Sequence, residues 1–338
     1  MKPRVTVIIL SWNALELLQK CLPSVVASRY PNFEVVLADN GSSDGSADWV
    51  ASSFPDVRIL SHGENLGFCA GNNRALEQTE GEYAVLLNND VEVDPDWLTH
   101  LVDAADSDPR IAAAQPKLLQ FDNRTRFEYA GAVGGHLDRF GYPFARGRVF
   151  FDVEEDTGQY DETADIFWAT GAAMLLRRSA LDKVGLLDEK FEFHMEEIDL
   201  CWRLRSAGYR VVVAPLARAF HIGGGSLAQG SPRKTRYNFR NNLLMLYKNL
   251  PSKAWRRVFP MRLLLDGLAA VRFLGSGQFR QAGAVFAAYA EAHRMKGAYT
   301  QPQGDTVHPS YEGSIVWDYW ARGRKKFSDL DKARFRLP

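Results

Sequence analysis

Cysteine is scarce in this sequence, and the three present (Cys21, Cys69 and Cys201) lie far apart with no CxxC spacing. That disfavours a disulfide framework or a structural zinc site and suits a reducing compartment. Neither sign of charge is in excess: 41 lysines and arginines balance 41 aspartates and glutamates, so net charge gives no argument for nucleic acid as a partner. No window reaches the ~18 uninterrupted apolar residues of a membrane span. The first strand begins at Val5, with no charged leader or apolar targeting segment before it. The expectation is a cytoplasmic protein, with attachment to a membrane surface left open. No GxGxxG follows the first strand, and GxxxxGK[ST] occurs nowhere. Both absences argue against a dinucleotide oxidoreductase and a P-loop enzyme.

What is present is core material. Hydrophobic residues make up 46% of the 338, ample for one large domain or one and a half. Val5 to Leu10, Phe33 to Ala38, Val57 to Leu60 and Tyr83 to Leu87 are short apolar runs with polar stops, the pattern of strands buried on both faces. Helices are predicted between them: one capped by Asn13 with Glu16 in capping-box spacing, one around Asn72 to Glu77, and one begun by Asp94-Pro95. Alternation with short connections predicts parallel pairing, hence an α/β fold of nucleotide-binding type. Periodicity is weak over 120–165. Beyond it, Ala172 to Leu176 reads as a strand, Ser179 begins a short helix, Glu196 to Ala207 is a helix closed by Gly208, and Tyr209 to Ala214 is the last clear strand. Residues 235–296 are helical in period, and the tail from about 300 is poorly predictable.

Ligands of open α/β sheets sit just beyond the carboxyl ends of strands, and several polar clusters occupy such places. Asp39 opens Asp39-Asn40-Gly41-Ser42-Ser43-Asp44, a carboxylate for a base or ribose, or equally an Asx-turn cluster. Asn65, Gly67 and Asn72 belong to a glycine- and asparagine-rich loop, fit for a phosphate or for ordinary capping. In Asn88-Asn89-Asp90, Asp90 is placed to hold a hard cation shared with substrate phosphates. Glu196, Glu197 and Asp199 open a helix whose dipole keeps a carboxylate ionised, as a general base or as plain dipole compensation. His221 follows a buried strand, where an imidazole completes a metal site or serves structure alone.

Taken together, these motifs resemble family 2 glycosyltransferases. The run into Ser11-Trp12-Asn13, then Asp39 to Ser46, Asn65-Leu66-Gly67-Phe68 to Asn73, Leu86 to Asp90, Gly171 to Leu175, Glu196 to Leu200 and His221-x-x-Gly-x-Ser226 carry the likeness over residues 5–226. It is strongest toward the bacterial rhamnosyltransferase-like branch. The resemblance implies a GT-A fold over residues 1–226, with a nucleotide-binding half to about 115 and a C-terminal helical extension at 227–338. It also implies a nucleotide-diphosphate sugar donor, a divalent cation (manganese or magnesium) and inversion at the anomeric carbon. By position, Ser11, Trp12, Asn13, Asp39, Asn65, Gly67, Asn72, Asn88, Asn89 and Asp90 bind the donor, and Trp168, Gly171 and Ala172 line the sugars. Asp90 and His221 hold the metal, and Glu197 is the base, with Glu196 and Asp199 as alternatives.

Two positions depart from the family pattern. Asn88 stands for the first aspartate of its DxD element, which suits a ribose contact, and Glu197 for its usual aspartate. The expected reaction moves a sugar, first choice rhamnose from dTDP-rhamnose, to a glycan or lipid-linked acceptor. UDP-hexoses and UDP-N-acetylhexosamines are the alternative donors. A nucleotide-sugar-binding scaffold without turnover stays open, and a nucleotidyltransferase is disfavoured because Ser11-Trp12-Asn13 leads into no basic phosphate loop. The C-terminal mixture of arginines with large apolar residues reads as packing on the catalytic domain or a second subunit, or as an interfacial surface.

Overall fold

The computed structural model describes residues 2–223, 230–304 and 306–337. The predicted strands form β1 (Val5–Ser11), β2 (Phe33–Asp39), β3 (Arg58–Ser61) and β4 (Tyr83–Asn88), followed by β5 (Val91–Val93) and β6 (Ile111–Gln120). β1 pairs in parallel with both β2 and β4, and β2 with β3. Helices α1 (Leu15–Val26), α2 (Ser46–Ser53), α3 (Phe68–Glu77) and α4 (Trp97–Asp106) connect or follow these strands. Asn13 does not cap α1 as predicted. Its φ is 48°, and the first helical N–H, that of Leu15, is taken by Asp44 Oδ2 from the neighbouring loop at 2.9 Å. α3 begins at Phe68, four residues ahead of the predicted start, because the apolar Phe68 and Cys69 already pack inward.

The weakly periodic stretch holds β7 (Gly135–Leu137), β8 (Pro143–Ala145), β9 (Arg148–Val149) and β10 (Asp152–Val153), a small antiparallel sheet of strands too short to show alternation. Then come β11 (Ala164–Asp165), β12 (Ala173–Arg177), α5 (Arg178–Val184), α6 (Glu196–Ser206) and β13 (Arg210–His221). β12 enters the main sheet antiparallel, between β4 and β6. The central sheet therefore runs β11-β13-β6-β12-β4-β1-β2-β3, with β5 against β13. β13 continues well past the predicted end at Ala214. A register shift between Ala214 and Arg218 accommodates Pro215, after which the strand resumes to His221.

Helices α7 (Pro232–Asn249), α8 (Ser252–Gly275), α9 (Phe279–Met295) and α10 (Ile315–Trp320) complete the chain. Ile198, Leu200, Cys201, Trp202 and Leu204 of α6 are buried, and Leu243, Leu244, Met245 and Leu246 of α7 share their core. Each such side chain withdrawn from water contributes ~1.5–3 kcal/mol. Tyr311, Ile315 and Tyr319 cover the small sheet through Phe144 and Val149. The boundary expected at 226/227, and Gly224 and Ser226 of the histidine motif, lie outside the described residues.

Candidate active site

Asn88 closes β4, Asp90 lies in the turn to β5, and β5 sets Val91 opposite His221 of β13. This register brings His221 Nε2 to 3.1 Å from Asp90 Oδ1. At the other ring nitrogen, His221 Nδ1 stands 3.3 Å from Glu128 Oε2. All three side chains are buried. Burial alone would lower the imidazole pKa, but the two carboxylates outweigh it and raise it to about 10. Glu128 was not among the expected residues, since it lies in the stretch without readable periodicity.

A carboxylate oxygen and an imidazole nitrogen suit a divalent cation, which would have to displace the proton that the two carboxylates favour on His221. Bonds of about 2.1 Å at a right angle place their donor atoms roughly 3.0 Å apart, which the Asp90–His221 pair matches. Glu128 then occupies the outer position that commonly orients a ligating histidine. Among the described residues no group of three or more acidic, histidine or cysteine side chains is placed to hold a metal ion by itself. A bound ion would share its remaining positions with substrate phosphates and water.

Asp90 and His221 line a cavity of about 1550 Å³, and Asn88, Gly171, Ala172, Glu196 and Glu197 line it too. The two glutamates open α6 after a turn in which Glu192, His194 and Met195 have φ of 63°, 72° and 74°. Such conformations cost non-glycine residues ~1–3 kcal/mol each and need support. Asn241 of α7, wholly buried, supplies it by donating from Nδ2 to the carbonyls of Phe191, Phe193 and His194 at 2.8, 2.9 and 2.8 Å. Arg240 adds bonds to the Phe191 carbonyl at 3.1 Å and the Glu192 carboxylate at 3.0 Å.

Glu196 and Glu197 each keep one buried carboxylate oxygen, Oε2, without a hydrogen-bond partner. Burial, then the neighbouring Glu197, raises Glu196 well above the usual carboxylate range. Burial raises Glu197 to about 7, against the pull of backbone N–H groups at the helix start. The helix terminus therefore does not keep these carboxylates at ordinary acidity, because desolvation outweighs it. A β-carbon placed on Gly171 would lie 3.7 Å from Glu197 Cβ, so this glycine stands directly beside the candidate base.

Asp199 does not fit the role of base. It is fully buried outside the cavity lining, accepting from Lys248 Nζ at 2.8 Å, Arg203 Nε at 2.9 Å and Asn249 Nδ2 at 2.8 Å. Trp168 reaches the cavity but is almost wholly buried, and its indole N–H donates to the His136 carbonyl at 3.0 Å.

The other residues expected to bind the donor gather around the ends of β1 and β2. Ser11 and Asp39 are register partners, and Asn89 Nδ2 donates to Ser11 Oγ at 3.1 Å, joining them to the Asp90 turn. Asp39 Oδ1 accepts from Ser42 N at 3.2 Å, and Asn13 Oδ1 from Ser43 N at 2.8 Å. Asn40 Nδ2 donates to Asn65 Oδ1 at 3.0 Å and to the Gly67 carbonyl at 3.2 Å, clasping two loops together. Gly41 permits the clasp: its φ is 78°, and a β-carbon there would fall 2.7 Å from Glu64 Cα. Asn72 donates to the Phe68 carbonyl at 2.9 Å within α3, while Trp12 is exposed. Of the residues in this group only Phe68 lines the cavity itself.

The sequence pattern of Glycosyl transferase family 2 matches residues 6–185, more than half of the chain. The chain belongs to this family. It is a glycosyltransferase, and family 2 enzymes invert the anomeric centre. The O-antigen biosynthesis protein RfbC of Myxococcus xanthus is 33% identical over 223 residues, covering 65% of this chain and 17% of that protein. N-acetylglucosaminyl-diphospho-decaprenol L-rhamnosyltransferase of Mycobacterium tuberculosis is 28% identical over 270 residues, 75% of this chain and 87% of its own. The chain thus spans a small part of the first relative and most of the second, and its similarities fall in the rhamnosyltransferase-like branch.

Solved structures agree on the fold. GalNAc-T7 with UDP, GalNAc and Mn2+ superposes with a TM-score of 0.60 at 15% identity, covering 90% of this chain and 59% of that one. Mannosyltransferase PcManGT from Pyrobaculum calidifontis, in complex with GDP-Man and Mn2+, gives 0.51 at 19% identity, covering 89% and 77%. The fold of this family 2 member is GT-A, as the resemblance implied.

Proposed function

We propose that this glycosyltransferase moves rhamnose from dTDP-rhamnose to a hydroxyl of a glycan or lipid-linked acceptor, in the assembly of a cell-surface polysaccharide. The names of the two relatives support the sugar and the pathway, with UDP-hexoses and UDP-N-acetylhexosamines as alternative donors. The observation that carries the reading is the pair of unpartnered glutamate oxygens in the same cavity as Asp90 and His221. Glu197 accepts the proton of the acceptor hydroxyl. The acceptor oxygen then attacks the anomeric carbon as the bond to the nucleoside diphosphate breaks, inverting the configuration. Glu196 is the alternative base.

Asp90 and His221 would hold a manganese or magnesium ion, which when bound neutralises charge on the departing diphosphate. Asn88 serves the ribose, Asp39 the base, and the segment from Asn65 to Asn73 the nucleotide and sugar. Residues 1–226 act as the catalytic domain, and α8 of the 227–338 extension contributes one wall of the cavity. The three free, buried cysteines suit a cytoplasmic setting. A scaffold role without turnover draws on one observation, that Asn88 and Glu197 replace two aspartates of the family pattern. Acceptor-dependent release of nucleoside diphosphate separates the two readings.

A thermal-shift panel of nucleotide sugars, with and without manganese, tests the donor. Stabilisation grows with the ratio of ligand concentration to Kd. The largest manganese-dependent shift belongs to dTDP-rhamnose on this reading. A larger shift with a UDP-sugar overturns the donor assignment, and a flat panel overturns the nucleotide site.

A further inference from the structure

Helix α8 is turned inside out. Its buried positions include Arg262 and Asp266, paired at 3.0 Å, while Leu263, Leu264, Leu268 and Val271 are 53–63% exposed. The inward pair is fully engaged. Arg262 also donates to the Phe140 carbonyl at 3.1 Å and lies 3.9 Å over the Tyr142 ring, and Tyr289 donates to Asp266 at 2.7 Å. Burying an ion pair adds little net stability, but it fixes which side of the helix can face the protein. The leucines are therefore held outward, and isolated exposed leucines are common whereas a continuous exposed stripe marks an interaction surface.

The exposed charge along the segment that carries this stripe is of one sign. Lys253, Arg256, Arg257, Arg272 and Arg280 are all exposed, and from 252 to 290 the only acidic residue is the buried Asp266. Trp317 and Trp320 of α10 stand at the edge, 61% and 51% exposed, with Arg272 4.5 Å over the Trp320 ring. Half-exposed tryptophans and cations bordering an apolar helix face are the composition of a surface that lies in a lipid headgroup layer. No helix among the described residues is long and apolar enough to cross a membrane, so the fit is to a surface rather than a span. Leu264, Leu268, Arg272, Trp317 and Trp320 also line the cavity, which places its mouth within this same surface.

We propose that the outward face of α8, with Trp317 and Trp320 beside it, docks on an anionic phospholipid bilayer and turns the cavity mouth toward the membrane. The proposal goes beyond the sugar-transfer reading and does not depend on the donor or on which glutamate is the base. Charge complementarity selects the bilayer over a second copy of this chain, because two copies would oppose their own cations across the stripe.

Flotation of the full chain tests it, using phosphatidylcholine vesicles with and without phosphatidylglycerol. Binding is expected with the anionic vesicles, and about tenfold less without phosphatidylglycerol or at high salt. Leu263→Glu/Val271→Glu alters two exposed residues outside the cavity lining. This variant should lose flotation at least about tenfold while keeping its melting temperature and its donor-induced thermal shift. The proposal is overturned if the wild type stays at the bottom with anionic vesicles, or if the variant floats equally well. It is also overturned if light scattering finds a dimer that the variant converts to monomer, since a second copy then covers the face.

Discussion

Asn241 donates a hydrogen bond from its Nδ2 to the carbonyl of His194, 2.8 Å away and 47 residues earlier in the chain. The same amide serves Phe191 and Phe193, so one buried side chain closes the left-handed turn that aims Glu196 and Glu197 into the cavity. In Asn241→Ala the carbonyls of Phe193 and His194 lose this partner, while that of Phe191 keeps Arg240, at a cost of about 1–3 kcal/mol for a buried group left unpaired. The positive-φ turn is then free to relax. Urea unfolding should show the stability loss, and kcat should fall at least about tenfold with donor KM nearly unchanged. A stability loss with normal kcat would mean that Asn241 supports the fold without positioning the base.

Glu197→Gln keeps the size of the side chain and removes its ability to take a proton. Turnover should drop at least about a hundredfold, with donor affinity nearly intact. The pH profile supplies a second readout. A base works deprotonated, and burial raises Glu197 to about 7, so wild-type kcat/KM should climb with pH up to about 7 and then level off. The variant's residual rate should lack that limb. A limb that survives in Glu197→Gln transfers the role to Glu196.

The buried strands and their polar stops are legible in the sequence because a strand covered on both faces must be apolar throughout and end where it meets solvent or ligand. That logic places Asp39 and Asn88 at the ends of β2 and β4 and Asp90 just beyond, where the structure has them. Other features depend on partners far along the chain. Asp199 looks like its neighbours in an acidic first turn, and only Lys248 and Asn249, on α7, reveal it as a structural anion. Glu128 meets His221 through two segments with no shared local pattern, one of them weakly periodic and the other continuing past Pro215. The mixture of arginines and leucines in α8 does not tell which side faces the protein, and tertiary packing buries Arg262 and Asp266 while leaving the leucines outside.

Glu128 gives a test of the metal site that leaves both candidate ligands in place. Glu128→Gln removes the carboxylate 3.3 Å from His221 Nδ1 without touching the Asp90–His221 pair. Loss of an outer partner of a metal-binding histidine typically weakens metal affinity by about 10–100-fold. Manganese titration followed by paramagnetic resonance, in the presence of nucleoside diphosphate, should show a loss of that size. Asp90→Ala should abolish the manganese dependence of donor binding outright. If manganese affinity is unchanged in both variants, Asp90 and His221 do not hold the ion.

His136 predicts how stability depends on pH. It is buried under Phe144 and Phe327, with Nδ1 3.1 Å from Ser310 Oγ and Nε2 without a partner. Burial, then Arg146 and Arg205, lowers its pKa to about 3. The folded chain thus keeps the ring neutral while the unfolded chain protonates it near pH ~6.5. Its contribution is complete above that value and is lost as pH falls toward 3, by about 1.4 kcal/mol per unit. Asp138, raised by burial to about 6, has the opposite sign, since its folded-state proton is lost as pH rises through that value. The wild type therefore mixes the two slopes, and His136→Phe separates them. Between pH 7 and 5 the variant should escape about 2 kcal/mol of the destabilisation that histidine protonation imposes, measured as the change in unfolding free energy across that interval. The lost Ser310 contact shifts both ends of the interval alike and cancels. Equal pH slopes in the two proteins would show that the ring takes up its proton in the folded state.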